Sequence, residues 1–155
     1  MPAVAKLSSS ASADIDVPIY AVWSIVQDVA QWPAWQATLG SLDILERNAE
    51  GQATLCAVEF DAKVTKIKMK LGCTYAAPTR MAFERVSGDL SALSGSWQLE
   101  DIAAGRTRAT YQLDVNPGGV LNFFLNEERV AKLRETLVDT RPGELKARAE
   151  AASAG

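Results

Sequence analysis

The chain has 155 residues, 48% of them apolar and 23% charged, with a formal net charge of −3. That composition excludes a disordered chain, its length suits one domain with a substantial core, and its acidic balance argues against nucleic acid as a partner. It contains no histidine, which removes the commonest general base, the commonest metal ligand and every Ser-His or Cys-His nucleophile, so any catalysis runs on carboxylates, tyrosines, lysines or bound water.

The opening "MPAVAKLSSSASADIDV" carries one lysine and no apolar run of signal-peptide length, which predicts a protein kept in the cytoplasm; no later stretch is long enough to cross a bilayer. Alternation of Ala13, Ile15 and Val17 ahead of Pro18 predicts a strand, frayed over its Ser/Ala-rich first half. Ile19, Val22, Trp23 and Val26 then recur at helical spacing, a short amphipathic helix to about Gln27. Asp28 is placed to cap a second short helix through Trp32, which Pro33 interrupts or ends.

From Ser41 to Val115 the period is two. "SLDILER", "QATLCAVEF", "VTKIKMKLGCTY", "RMAFERV", "LSALSGSWQLE" and "RTRATYQLDV" are separated by turn signals, which predicts about six strands in one antiparallel meander. Cys56 and Cys73 lie on different strands without CxxC spacing and are expected as free thiols. Beyond "NPGG", Val120, Phe123, Phe124, Val130, Leu133 and Leu137 follow the helical period, one long helix to Thr140. Pro142 kinks it or lets Thr140 cap a polar stretch. A meander with one face to bury must curl around that helix, leaving a cavity near its open end.

This order, with "VPIYAVWSIVQDVAQWPAW" after the first strand, "SGSWQLE" on a late strand and "YQLDVNPGGVLNFFLNEE" leading into the last helix, resembles the START-like (SRPBCC, Bet v 1-like) superfamily, in particular its polyketide cyclase/dehydrase-like branch. The resemblance implies an α+β helix-grip fold, a curved antiparallel sheet wrapped around a long C-terminal helix with two short helices after the first strand. It also implies an apolar pocket between sheet and helix. The expected organisation is a single domain over residues 1–155, with a core of about 13–141 and peripheral or frayed ends at 1–8 and 142–155.

By alternation the pocket-facing set is Cys56, Val58, Phe60, Ile67, Met69, Leu71, Met81, Phe83, Trp97, Leu99, Tyr111 and Leu113. A plain core would contain the same residues. Trp35 joins the set because in similar proteins the segment around Trp32 and Trp35 lies at the pocket rim; the alternative is that both indoles pack the short helices onto the sheet. Phe123 and Phe124 join it because the glycine joint before the last helix is a candidate portal. Lys66, Lys68 and Lys70 read as a solvated strand face, with transient membrane contact or an acidic carrier protein as the functional alternative.

Among Asp28, Glu59, Asp61, Glu84, Asp114, Tyr75 and Tyr111, only Tyr111 is an inward titratable candidate for catalysis, and no carboxylate-arginine pair is readable from the inward set. No metal or cofactor is expected. Three functions stay open: a carrier of a small apolar molecule such as a lipid, quinone or polyketide-like compound; a cyclase or dehydratase using the same pocket; and a module that takes up a partner's apolar segment.

Overall fold

A computed structural model describes residues 7–61, 66–116, 118 and 126–154. Strand β1 (Leu7–Ile15) is followed by helix α1 (Ile19–Val26), a single 3-10 turn (Val29–Gln31) and the short helix α2 (Trp32–Trp35). Strands β2 (Leu39–Arg47), β3 (Ala53–Asp61), β4 (Lys66–Ala76), β5 (Arg80–Gly88), β6 (Ala92–Ala103) and β7 (Arg106–Asn116) come next. The last helix is in three pieces: α3 (Glu127–Arg134), a π turn (Glu135–Asp139) and α4 (Arg141–Ala154).

All seven strands form one antiparallel sheet in the order β1-β7-β6-β5-β4-β3-β2. The meander from β2 to β7 is the one the turn signals predict, and β1 adds to its free edge. Register shifts between β2 and β3, at Lys70 and Leu71 on β4, and at Asp101 to Ala103 on β6 supply extra residues that bend the ladder. The sheet curls in consequence, and α1 and α4 cover its concave face.

Three local expectations are corrected. The Ser/Ala-rich half of β1 is not frayed: its seryl and alanyl residues pair without a break from Leu7 opposite Val115 to Ile15 opposite Thr107. This ladder is reinforced by hydrogen bonds from Ser8 to Asp114 and between Ser12 and Thr110. Asp28 stands before the 3-10 turn but its side chain makes no cap, and Pro33 opens α2 instead of ending a helix. A proline in a first turn gives up an N–H that has no helical partner anyway.

The third correction concerns residues 142–155, expected to be peripheral. Through Ala154 they form α4, with Pro142, Leu145 and Ala149 buried. Pro142 supplies no N–H to the turn before it, and the helix widens into the π turn and restarts at Arg141. Polar side chains then fasten α4 to β1: Lys146 Nζ donates to the Asp14 carbonyl at 2.9 Å and to Glu150 at 2.6 Å, and Glu150 accepts the Asp16 N–H at 3.1 Å. Asn126 caps α3 by accepting the Arg129 N–H at 2.8 Å.

One glycine is dictated by packing. Gly95 on β6 faces Phe83 on β5, and a Cβ built there would overlap the Phe83 ring. Gly95→Ala is therefore expected to cost about 1–3 kcal/mol through overpacking, read as a lowered urea midpoint with an unchanged slope; a midpoint equal to wild type would refute the packing of that ring.

Candidate ligand cavity

Alternation along the strands sends one side chain in two toward the last helix. Val58 and Phe60 from β3, Met69 and Leu71 from β4, Phe83 from β5, and Tyr111 and Leu113 from β7 border one internal cavity of about 50 Å3. Leu39, Leu93 and Leu137 extend its apolar wall, and Trp32, Gln36, Thr38 and Arg141 complete it. Such a volume holds about one or two waters. Thr38, Leu39 and Phe60 are half-buried and mark the side on which the cavity nears the surface.

The remaining members of the expected set are placed differently. Cys56, Met81 and Leu99 are buried toward the end of the sheet closed by α1, and Ile67 lies at the other end, at the start of β4. None of the four borders the cavity. Trp97, fully buried, stands beside Tyr111 as its register partner on β6, with ring centroids 4.7 Å apart, and does not border the cavity. Phe123 and Phe124, with most of the glycine joint, lie outside the described residues. Cys56 and Cys73 are free and buried, and the hydrogen bond that the Cys73 thiol donates to Cys56, together with burial, holds it far above the ordinary range.

The two tryptophans exchange the roles expected of them. Trp32, not Trp35, borders the cavity. Its indole N–H donates to the Val26 carbonyl at the end of α1, 3.0 Å away, and its ring meets Phe83 edge-on at 5.9 Å. The 3-10 turn and the proline that opens α2 aim Trp32 at the sheet. Trp35 falls a helical turn later and packs on Trp97 at 6.1 Å, its buried N–H without a hydrogen-bond partner among the described residues.

The polar corner of the cavity comes from α4, which sequence periodicity missed. Arg141 is 5% exposed. Its Nη1 donates to Glu144 Oε1 at 2.7 Å and its Nη2 to Thr38 Oγ1 at 2.8 Å. Glu144 Oε2 accepts the Ala37 N–H at 2.8 Å, which ties α4 to the segment before β2. The guanidinium carbon lies 5.9 Å from the centre of the Tyr111 ring. Burial pushes the Tyr111 hydroxyl above the usual tyrosine range, with the Arg141 charge opposing it, so the phenol stays a hydrogen-bond donor at neutral pH. The carboxylate-arginine pair that the strands alone do not supply is thus delivered by the helix.

The other acidic candidates fall outside. Asp28, Asp61 and Glu84 are exposed, and Glu59 and Asp114 project from the opposite face of their strands. Tyr75 donates to the Ala53 carbonyl at 2.5 Å, at the closed end of the sheet. Lys66, Lys68 and Lys70 are exposed while the alternating Ile67 and Met69 are buried. Replacing all three lysines by Gln is expected to leave ligand affinity unchanged in a tryptophan-quenching titration; a loss of affinity would contradict the assignment of the strand faces. Among the described residues no three metal-ligating side chains cluster, and no helix is long and apolar enough to cross a membrane.

A curved antiparallel sheet closed on a C-terminal helix, with an apolar cavity between them, defines the helix-grip class of START-like proteins. The chain matches the family described as polyketide cyclase / dehydrase and lipid transport over residues 15–137, and it belongs to that family. No curated protein matches it. Among solved structures, TTHA0849 from Thermus thermophilus superposes with a TM-score of 0.82 at 20% identity, over 95% of this chain and 99% of its own. The Zhui aromatase/cyclase from Streptomyces sp. R1128 gives 0.78 at 15% identity, over 96% of each chain. A START superfamily protein from Mycobacterium smegmatis gives 0.75 at 16%, over 94% of this chain and 98% of its own. At these identities the likeness establishes the fold.

Proposed function

We propose that the protein binds a small apolar molecule, of the size and character of a lipid, quinone or polyketide-like compound, between the sheet and the last helix. The observation that carries this reading is the cavity wall, apolar along the strands apart from the Tyr111 hydroxyl and otherwise polar only where Gln36, Thr38 and Arg141 meet it. Ligand sites in proteins commonly enclose about 300–1,000 Å3, so an occupant has to move side chains aside. Met69 is suited to that, since an unbranched thioether re-packs at little cost, and Phe60 is already half-buried at the edge.

The test is native mass spectrometry of freshly purified protein, followed by organic extraction. A discrete adduct, one per chain, released as an apolar compound is the expected result. A bare chain mass, together with no tryptophan quenching by a panel of fatty acids, quinones and aromatic ketones, would overturn the reading.

A second reading, a cyclase or dehydratase, is favoured by one observation: Tyr111 faces the cavity as a protonated phenol beside Arg141, where it can donate a proton to a carbonyl oxygen of a reactive chain. On this reading Tyr111→Phe abolishes turnover of a poly-β-ketone substrate while leaving its affinity within about threefold, on the order of one lost uncharged hydrogen bond. Unchanged turnover would remove Tyr111 from any mechanism.

A further inference from the structure

The chemistry of the polar corner narrows the class of ligand. An arginine side chain carries five N–H donors and no acceptor. Arg141 engages Nη1 with Glu144 and Nη2 with Thr38, but its buried Nε–H has no hydrogen-bond partner among the described residues, and the side chain borders the cavity. A buried donor left without an acceptor forfeits its hydration for nothing in return, and such groups in proteins call for an explanation. Nε–H and one Nη2–H project along the same edge of the guanidinium, and Thr38, which accepts from Nη2, borders the cavity as Arg141 does.

The charge on Arg141 is already matched. Glu144, itself largely buried, accepts from it at 2.7 Å and holds its second oxygen on the Ala37 N–H. A ligand carboxylate brought to this corner would make a second anion against one cation, in surroundings where an unmatched charge is costly. An uncharged oxygen needs only the hydrogen bond. We propose that the occupant of this cavity is an apolar molecule carrying an uncharged oxygen acceptor, a ketone, quinone or ester carbonyl, which accepts from Arg141 Nε, and that the corner selects against free carboxylic acids. This inference rests on the apolar-ligand reading above and picks out one part of its range.

Three small probes of one shape separate the alternatives: acetophenone, α-methylstyrene, in which a methylene replaces the carbonyl oxygen, and benzoate. Each is titrated into the full-length protein and followed by proton–nitrogen correlation spectra, with the Arg141 Nε–H signal assigned by its disappearance in Arg141→Lys. Acetophenone is expected to bind about tenfold more tightly than α-methylstyrene, as a hydrogen bond from a charged donor provides. It is also expected to move the Nε–H signal downfield, while α-methylstyrene shifts only the cavity methyl groups and benzoate binds more weakly than acetophenone.

Equal affinity for acetophenone and α-methylstyrene with an unmoved Nε–H signal would overturn the inference and leave the apolar-ligand reading standing. Benzoate binding tightest would overturn it in favour of anion recognition. Binding by none of the three would count against the cavity as a ligand site and take the inference down with it.

Discussion

Arg141→Met is expected to destabilise the protein by about 3–5 kcal/mol, the usual consequence of leaving one member of a buried ion pair behind. The Arg141 side chain is 6% exposed and that of Glu144 19%, so water is poorly placed to take over when the guanidinium is removed. Glu144 would keep the Ala37 N–H and lose its cation. Urea unfolding followed by tryptophan fluorescence measures the cost. The double variant Arg141→Met/Glu144→Gln is expected to recover much of it, because replacing a whole buried pair is often neutral. A single variant within about 0.5 kcal/mol of wild type, the range of an ordinary surface change, would show that the pair is solvated after all.

Phe83→Ala carries a comparable cost, about 3–5 kcal/mol for deleting a buried aromatic, and brings a gain with it. The ring touches the cavity, stacks near Tyr111 at 6.2 Å, meets Trp32 at 5.9 Å and lies over Gly95. Gly95 has no side chain with which to fill the space. The cavity of about 50 Å3 then grows toward the roughly 150 Å3 at which an apolar cavity admits benzene. Benzene is therefore expected to raise the melting temperature of Phe83→Ala in a concentration-dependent way and by clearly more than that of the wild type, where side chains must first move aside. If benzene fails to stabilise the variant, the site has collapsed around the missing ring.

Most of the architecture is legible in the sequence because it is written in short-range pattern. Lys66, Lys68 and Lys70 alternating with Ile67, Met69 and Leu71 leave one choice of face for β4, and the turn signals fix the hairpins. The site is less legible, for identifiable reasons. Alternation reports which side of the sheet a residue occupies but not its depth along the strand, so Val58 and Cys56 look alike although only Val58 borders the cavity. Trp32 and Trp35 are a turn apart, and the geometry of a 3-10 turn and one proline decides between them.

Arg141 was hidden by its own chemistry. The buried stripe runs Val130, Leu137, Val138, Arg141, Leu145 and Ala149, but a charged residue next to a proline reads as the end of an apolar face. Glu144, three residues on, and Thr38, far away in sequence, are what make its burial tolerable. A salt-bridge spacing inside an otherwise apolar stripe was the available signal.

The place of β1 has a consequence for how the protein comes into being. Ser8 finds its partner Asp114 across a separation of 106 positions, and within the described sheet β1 pairs with β7 alone. At roughly 5–20 residues per second of synthesis, the ribosome exposes β1 for about 5–20 seconds before its template exists. During that interval its run of serines, too polar to coalesce with a neighbouring nascent chain, keeps an unpaired strand from meeting the wrong edge.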